Sequence, residues 1–405
     1  MAYREIDLNL TEEEKALRDM IRKFGAEVVR PAGIELDSLH DPADVTADGS
    51  VLWDVIKQYR ELGLHKMSMP KAVGGMAEDI SPMSRILIGE EMGYADAGLA
   101  ISMGACGMPF AMAAMSPDPE VRGWAHEFCE DTEGKMIGCW AITEPDHGGD
   151  WSLGGDNPKC APSVRAVKKG DEYIVNGQKS AWVSNGTFAT HAVFHMCLDP
   201  SKGMEGTGLA LIPLDLPGIT RGAPLNKIGQ RALNQGEIFF DDVKIHKKYF
   251  LVEDPSIMTG MGETILAGAN GGMSITFAGL AKAAYDLAYD YAHERIQGGV
   301  PIFEHQNIKL KLFRMFTMVE AARAASRRQA LYNAVTMPPS GAHAVAAKCL
   351  STETAFNVAS EAIQIFGGNG LSKEYPIEKM FRDARASMIE DGVNETLSLA
   401  AVEYL

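Results

Sequence analysis

The stretch Met388-Ile389-Glu390-Asp391-Gly392-Val393-Asn394-Glu395-Thr396 sets a carboxylate beside a glycine at the end of a long helical pattern. A carboxylate at such a junction can serve as a general base over a bound group, because glycine lets another backbone or a ring come close. An Asp-Gly pair is equally the makings of a plain turn. The other residues the chain brings to it decide between the two.

Several further stretches could supply them. Cys139-Trp140-Ala141-Ile142-Thr143-Glu144-Pro145-Asp146-His147-Gly148-Gly149-Asp150 reads as a strand entering a polar loop. Its amides and the Thr143 hydroxyl could bond a polar heterocycle beside the flat face of Trp140, or form a generic loop. Asn176-Gly177-Gln178-Lys179 reads as a hairpin turn into Ser180-Ala181-Trp182-Val183-Ser184-Asn185-Gly186, where Trp182 and Ser184 share one strand face. They could stack on and hydrogen-bond a ring, or pack in a core. Arg295, at a helix end before Gly298-Gly299, could clamp a pyrophosphate bidentately or simply be solvated. Gln364-Ile365-Phe366-Gly367-Gly368-Asn369-Gly370 is a helix stop whose glycines permit close backbone approach. His191 and His195 share a strand face without a third ligand, which favours packing over metal binding.

The elements that must position these residues fall into three blocks. Thr11 with Glu14 is a capping-box signature; Leu17, Met20, Ile21, Phe24 and Val28 follow at helical spacing until Pro31 ends the run. Residues 35–50 read as a surface loop. Trp53, Ile56, Tyr59 and Leu62 restart the helical period with Gly63 past its end, and Ser81-Pro82 opens another helix through about Tyr94. Residues 97–116 are small and apolar, and 118–130 again look helical. From Lys135 the period changes to short β-branched and aromatic runs (136–142, 164–167, 172–175, 180–183, 191–197, 209–213, 237–240), which predict an antiparallel barrel or sandwich. Helical spacing returns from about Met258, broken at Gly298-Gly299-Val300-Pro301 and near Pro338-Pro339. The expected fold class is α+β: an N-terminal helical domain (1–134), a middle β-barrel domain (135–250) and a C-terminal helical bundle domain (251–405).

Bulk properties narrow the partners. A chain of 405 residues, 46% hydrophobic, can bury the cores of two or three domains. With 54 acidic against 38 basic side chains and a formal charge of −16, nucleic acid and anionic membrane are excluded as partners. Six cysteines (106, 129, 139, 160, 197, 349) show no CxxC spacing, so neither zinc nor a disulfide framework is indicated. Met1-Ala2-Tyr3-Arg4-Glu5-Ile6-Asp7 carries no leader pattern, and no window of about twenty apolar residues occurs. A soluble cytoplasmic protein with no metal and no membrane span is expected.

Taken together and in order, the motifs resemble the acyl-CoA dehydrogenase family over essentially the whole chain. They are Ile142-Thr143-Glu144-Pro145 with Gly149-Asp150, Asn176-Gly177-Gln178-Lys179 with Trp182 to Gly186, Gly229-Gln230-Arg231, Asp241-Asp242-Val243, Glu294-Arg295, His305-Gln306, Gln364 with Gly367-Gly368-Asn369-Gly370, Arg382-Asp383-Ala384, and Asp391-Gly392. The resemblance implies a helical domain, a β-barrel and a four-helix bundle, with FAD between barrel and bundle. It implies a homotetramer, a dimer of dimers, in which a neighbour's residues complete each site, and electron-transferring flavoprotein as acceptor. Carried over by position, Ile142, Thr143, Trp182 and Ser184 would line the isoalloxazine, with Gly149, Val393 and Glu395 among the cofactor contacts. Arg295, Gln306, Gln364, Gly367 and Gly368 would hold the pyrophosphate and adenosine of a facing subunit's FAD. Asp391, with Gly392, falls where the family carries its catalytic glutamate. The implied reaction is α,β-dehydrogenation of an acyl-CoA thioester, Asp391 taking the Cα proton while hydride leaves Cβ for the flavin.

Four departures shape that reading. Asp391 is one methylene shorter than the usual glutamate, which withdraws the carboxylate by ~1.3 Å. The alternative base position near Ala269 holds no carboxylate. Asn270 stands where the family's common arginine lies, and Gly149 where a serine is usual. Gly298 replaces a common aromatic. The small residues from Ala97 to Gly107, with Met103 among them, would line the acyl pocket and leave room for a branched or alicyclic group. The absence of arginine there disfavours a dicarboxylic acyl chain. Asp at the base position resembles members acting on cyclohexanecarboxyl-type thioesters. The alternatives are non-standard chemistry (1,4-elimination, an oxidase or a non-redox elimination) and a non-catalytic acyl-CoA-binding flavoprotein.

Overall fold

The computed structural model describes residue 6 and residues 9–405. Residues 1–5, 7 and 8, where the reading of an absent leader falls, lie outside them. Helix α1 (Glu12–Phe24) opens on the expected capping box: Glu14 N–H donates to Thr11 Oγ1 at 3.1 Å, and Thr11 N–H to Glu14 Oε2 at 2.9 Å. Pro31 does not stop the chain's helical course. A π-helical turn, Gly25–Val29, feeds directly into α2 (Arg30–Ser38), and Pro31 occupies the first turn of α2, where a missing N–H is tolerated. The loop expected at 35–50 is correspondingly shorter, and contains a 3-10 turn at Pro42–Thr46. Helix α3 (Val51–Glu61) is followed by left-handed Gly63 at φ 71°. Ser81 Oγ accepts from Ser84 N–H at 3.0 Å to cap α4 (Pro82–Ala95). Helices α5 (Ala97–Ala113) and α6 (Pro119–Glu130) complete the block.

Eight strands follow: β1 (Gly138–Ala141), β2 (Arg165–Lys169), β3 (Glu172–Ser184), β4 (His191–Cys197), β5 (Thr207–Pro213), β6 (Ile219–Arg221), β7 (Gln235–His246) and β8 (Phe250–Val252). They form one sheet in the order β6-β7-β3-β2-β4-β5-β8, with β1 added to β4. The sheet differs from the expected antiparallel barrel in two ways. Strand β1 runs parallel to β4, β2 meets β4 in parallel at Arg165 and Cys197, and β6 and β8 end the sheet without pairing to each other. The hairpin expected at Asn176-Gly177 is also corrected. Strand β3 runs straight through it, with a register shift against β7 between Val175 and Gly177. The reversal occurs at Gly170 (φ 67°), between β2 and β3. Asn176 is instead bonded across to Asp242, side-chain amide to carboxylate and Asp242 N–H to the amide oxygen, both at 2.9 Å. Gly177 is needed because a Cβ there would lie 2.8 Å from Val164 Cα.

Helices α7 (Pro255–Glu294), α8 (Gln306–Val335), α9 (Gly341–Phe366) and α10 (Ile377–Ser387) pack as a four-helix bundle around Phe277, Ala281, Met315, Val319, Ala355 and Ala359. Helix α11 (Asn394–Ala401) packs on α9. Helix α4 lies on α7 backbone to backbone, and a Cβ on Gly93 would come within 2.0 Å of Thr276 O. Among the described residues no helix is long and apolar enough to cross a membrane.

All three blocks meet at Lys379 of α10, which is buried with its ammonium between Asp96 Oδ2 at 2.5 Å and Asp383 Oδ2 at 2.6 Å. Asp96 also caps α5, accepting from Leu99 N–H at 2.9 Å, and Asp383 accepts from Gln230 N–H in the sheet block. Removing one member of a buried ion cluster strands the remaining charges. Lys379→Met is therefore expected to destabilise the protein by roughly 3–5 kcal/mol, measured by denaturant unfolding.

Candidate active site

Between α10 and α11 the chain makes a tight reversal with Asp391 at φ 51° and Gly392 at φ 98°. Asparagine and aspartate enter the left-handed region more readily than other side chains, and glycine more readily still. Lys348 of α9 holds the turn from below: its buried Nζ donates to Gly392 O at 2.7 Å and Asn394 Oδ1 at 2.8 Å. Among the described residues, none donates a hydrogen bond to the Asp391 carboxylate. Likewise none accepts one from the N–H groups of Asp391 and Gly392. An undressed base and two undressed donors therefore share one turn.

The turn opens into a cavity of about 1610 Å³ between the three blocks. Asp391 is exposed and lines this cavity. Ile142, Thr143, Gly149, Trp182 and Ser184 line the cavity from the sheet side, Met103 from α5, Ala269 and Asn270 from α7, and Gly392 and Val393 from the turn. Trp182 leaves 59% of its surface open, so its indole is not a core side chain. The loop bearing Thr143 is fixed by a fully buried pair. Lys179 Nζ donates to Ile142 O at 2.9 Å and to Glu144 Oε1 at 2.7 Å, while Glu144 Oε2 accepts from Ser163 N–H at 2.5 Å and Val164 N–H at 3.2 Å. Burial lowers Lys179 to about 8, with Glu144 opposing the fall. At Gly149 a Cβ would lie 3.2 Å from Thr396 Cγ2, so α11 crowds the place where a serine would stand. Asn270 is buried, its amide N–H donating to Leu266 O at 2.9 Å and its Oδ1 without a partner.

Two walls of the cavity have been cut back. Gly104, a turn beyond Ala100 on α5, and Gly268 and Gly272, one turn apart on α7, all line it, and a Cβ built on any of the three would meet nothing within 4 Å. His195 also lines the cavity, its Nε2 accepting from Trp140 Nε1 at 2.9 Å. Burial drives it down to about 3, with Lys179 adding to the fall, so it is neutral. Among the described residues no group of His, Cys, Asp or Glu could hold a metal.

The site's electrostatics centre on carboxyls. Burial raises Asp391 above the usual carboxylate range, and the Lys348 ammonium opposes it. Its neighbour Glu390 also lines the cavity and accepts from Gln230 Nε2 at 2.5 Å. Sequence reasoning gave Glu390 no role, although two adjoining acids are a visible signal. Lys348 and the cut-back glycines of α7 carried no local signal at all.

The remaining expected residues are not in the cavity. Arg295, Gln306, Gln364, Gly367 and Gly368 are exposed and gather at one end of the bundle, while Glu395 is exposed on α11. Tyr291 of α7 stacks on Phe366 of α9 at 3.9 Å between centroids, and its hydroxyl accepts from Asn369 Nδ2 at 3.0 Å. That contact joins the Arg295 segment to the Gly367-Gly368 turn, where an added Cβ would meet open space at both glycines.

The chain belongs to the acyl-CoA dehydrogenase family: its N-terminal, middle and C-terminal domain models match residues 11–117, 139–243 and 263–403. Members of this family are FAD-dependent flavoproteins that oxidise CH–CH bonds. The chain is 30% identical to the mitochondrial short-chain specific acyl-CoA dehydrogenase of Rattus norvegicus, over 98% of this chain and 91% of that one. It is 29% identical to the cyclohex-1-ene-1-carbonyl-CoA dehydrogenase of Syntrophus aciditrophicus, over 95% and 88%. Among solved structures, butyryl-CoA dehydrogenase from Megasphaera elsdenii superposes with a TM-score of 0.85 at 28% identity, over 98% of this chain and 99% of that one. The cavity fits the family's cofactor on its own evidence, since the open Trp182 indole offers a flat apolar face in a space large enough for a flavin and an acyl group together.

The turn itself is testable. In Gly392→Ala the new Cβ would lie 2.7 Å from Leu397 Cδ2 at a backbone angle alanine rarely adopts. A loss of about 1–3 kcal/mol in thermal unfolding is expected.

Proposed function

We propose that this protein dehydrogenates a branched or alicyclic acyl-CoA thioester at Cα and Cβ, with Asp391 as the base. The observation that carries the reading is the Asp391 carboxylate, lining the cavity without a hydrogen-bond donor and beside two free backbone N–H groups. A base poised this way gains basicity toward an α-proton. The N–H groups of Asp391 and Gly392 are placed to donate to the thioester oxygen as it gains enolate character. FAD, when bound, supplies the hydride acceptor. Ile142, Thr143, Trp182 and Ser184 would hold its ring, with Gly149 and Val393 beside it and Glu395 nearby on α11.

The absent side chains at Gly104, Gly268 and Gly272 support the substrate class, since they leave the cavity roomier than side chains at those positions would, and a branched or cyclic acyl group needs that room. Met103, Ala269 and Asn270 would contact the substrate. The exposed group of Arg295, Gln306, Gln364, Gly367 and Gly368 has the donors and the open glycine backbone for a pyrophosphate, but it lies outside this chain's own cavity. It therefore fits the FAD of a facing copy, in a homotetramer built as a dimer of dimers. Electron-transferring flavoprotein is the proposed acceptor. All six cysteines are free, which supports a reducing cytoplasm.

Anaerobic titration with linear, branched and cyclohexane-type acyl-CoA thioesters should bleach the flavin band most readily with the ring-bearing class. A yellow protein bleached by none of them would refute the proposal. Asp391→Asn keeps a residue suited to the left-handed turn while removing the base, and should slow flavin reduction by roughly 10²–10⁴-fold with little change in stability. Gly104→Leu should fill the α5 side of the cavity and shift preference toward small linear chains by roughly 10–100-fold in kcat/KM, read from paired substrates.

A further inference from the structure

The proposed reaction uses Asp391 and leaves Glu390 idle, although the two adjoin in sequence and line one cavity. The surroundings of Glu390 leave its charge poorly supported. Its Oε1 accepts from the neutral amide of Gln230, which also donates to Asp383 O at 3.2 Å. Lys227 lines the cavity nearby, but its ammonium donates to Leu233 O and Gln235 Oε1, both at 2.6 Å. Lys348 is committed to Gly392 O and Asn394 Oδ1. Arg385 of α10 lines the cavity as well, and Asp383 lies behind Gln230. Among the described residues no cation makes contact with either carboxyl. Two adjoining carboxylates that line one cavity with no contact cation repel each other, and ionising the first raises the cost of ionising the second.

We propose that Glu390 and Asp391 form a carboxyl pair that holds one proton between them, carried on Glu390 at rest and released from it when Asp391 takes the substrate's proton. The inference rests on the dehydrogenase reading. In each turnover the Cα–H bond breaks and its proton forms an O–H bond on Asp391, while bound FAD would supply the acceptor for the hydride leaving Cβ. Neutral Asp391 no longer repels a charge on Glu390, so the Glu390 O–H dissociates and its proton passes to water at the cavity mouth. The proton on Asp391 then moves across to Glu390, restoring the resting state. One proton enters the pair and one leaves. Consistent with this, burial pushes Glu390 up to about 7 and the charge of Asp391 adds to the rise, while the Gln230 hydrogen bond, Lys227 and Lys348 act against it.

The test is infrared difference spectroscopy on the FAD-loaded protein between about pH 5 and about pH 9, beside the pH dependence of flavin reduction. The protonated-carboxyl band should titrate near 7, vanish in Glu390→Gln, and persist in Asp391→Asn with its midpoint lowered by about one pH unit or more. Reduction by an acyl-CoA thioester should show a step at the same pH, lost in Glu390→Gln and restored in Glu390→Asp. A band unchanged in Glu390→Gln, a midpoint unmoved in Asp391→Asn, or an unaltered pH profile in Glu390→Gln would each overturn the shared proton. A wild-type flavin that no acyl-CoA thioester bleaches overturns the dehydrogenase reading instead, and the infrared titration still decides whether the pair shares a proton.

Discussion

A single ammonium ties the molecule together. Lys379 sits at the point where the first helical block, the sheet and the bundle meet, and its two carboxylate partners reach into the first two. Asp96 starts the helix that forms one cavity wall, and Asp383 orients Gln230, which in turn reaches Glu390. The cavity is the space left where three separately packed bodies are drawn to one buried charge. An ion cluster of this kind adds little net stability over an apolar contact, but it accepts one arrangement of its partners. The geometry of the site depends on that selectivity.

The electrostatics inside the cavity follow the opposite rule. Where a carboxylate is structural, as at Glu144, a lysine and two backbone N–H groups surround it. At Asp391 the cation is engaged one residue further along the chain, holding the Gly392 carbonyl rather than the carboxylate. The fold thus fixes the backbone of the base without neutralising the base itself. This separation of support from charge keeps a carboxylate reactive in a protein interior.

Much of this was legible in the sequence, and the failures have physical causes. Thr11, Gly63 and Ser81 announced helix ends because capping is local chemistry between residues three or four apart. Trp182 and Ser184 were placed on one face by strand parity alone, and both line the cavity. Pro31 misled because a π turn absorbed it, and Asn176-Gly177 because the glycine answers the close approach of Val164 rather than a chain reversal. The open sheet was invisible because local runs do not say which strands neighbour one another. Lys348, whose partners lie in a different helix connection, could be found only in three dimensions.

The left-handed backbone at Asp391 bears on how such a site can diverge. A residue held in that conformation is chosen first by its backbone and only second by its reach, and aspartate satisfies the backbone more readily than glutamate. Exchange between the two acids at this position is therefore not a drift of side-chain length alone. A lineage that lengthens its base either holds this left-handed turn at some cost in stability or re-forms it, and one that keeps the turn at its least cost keeps the short base along with it.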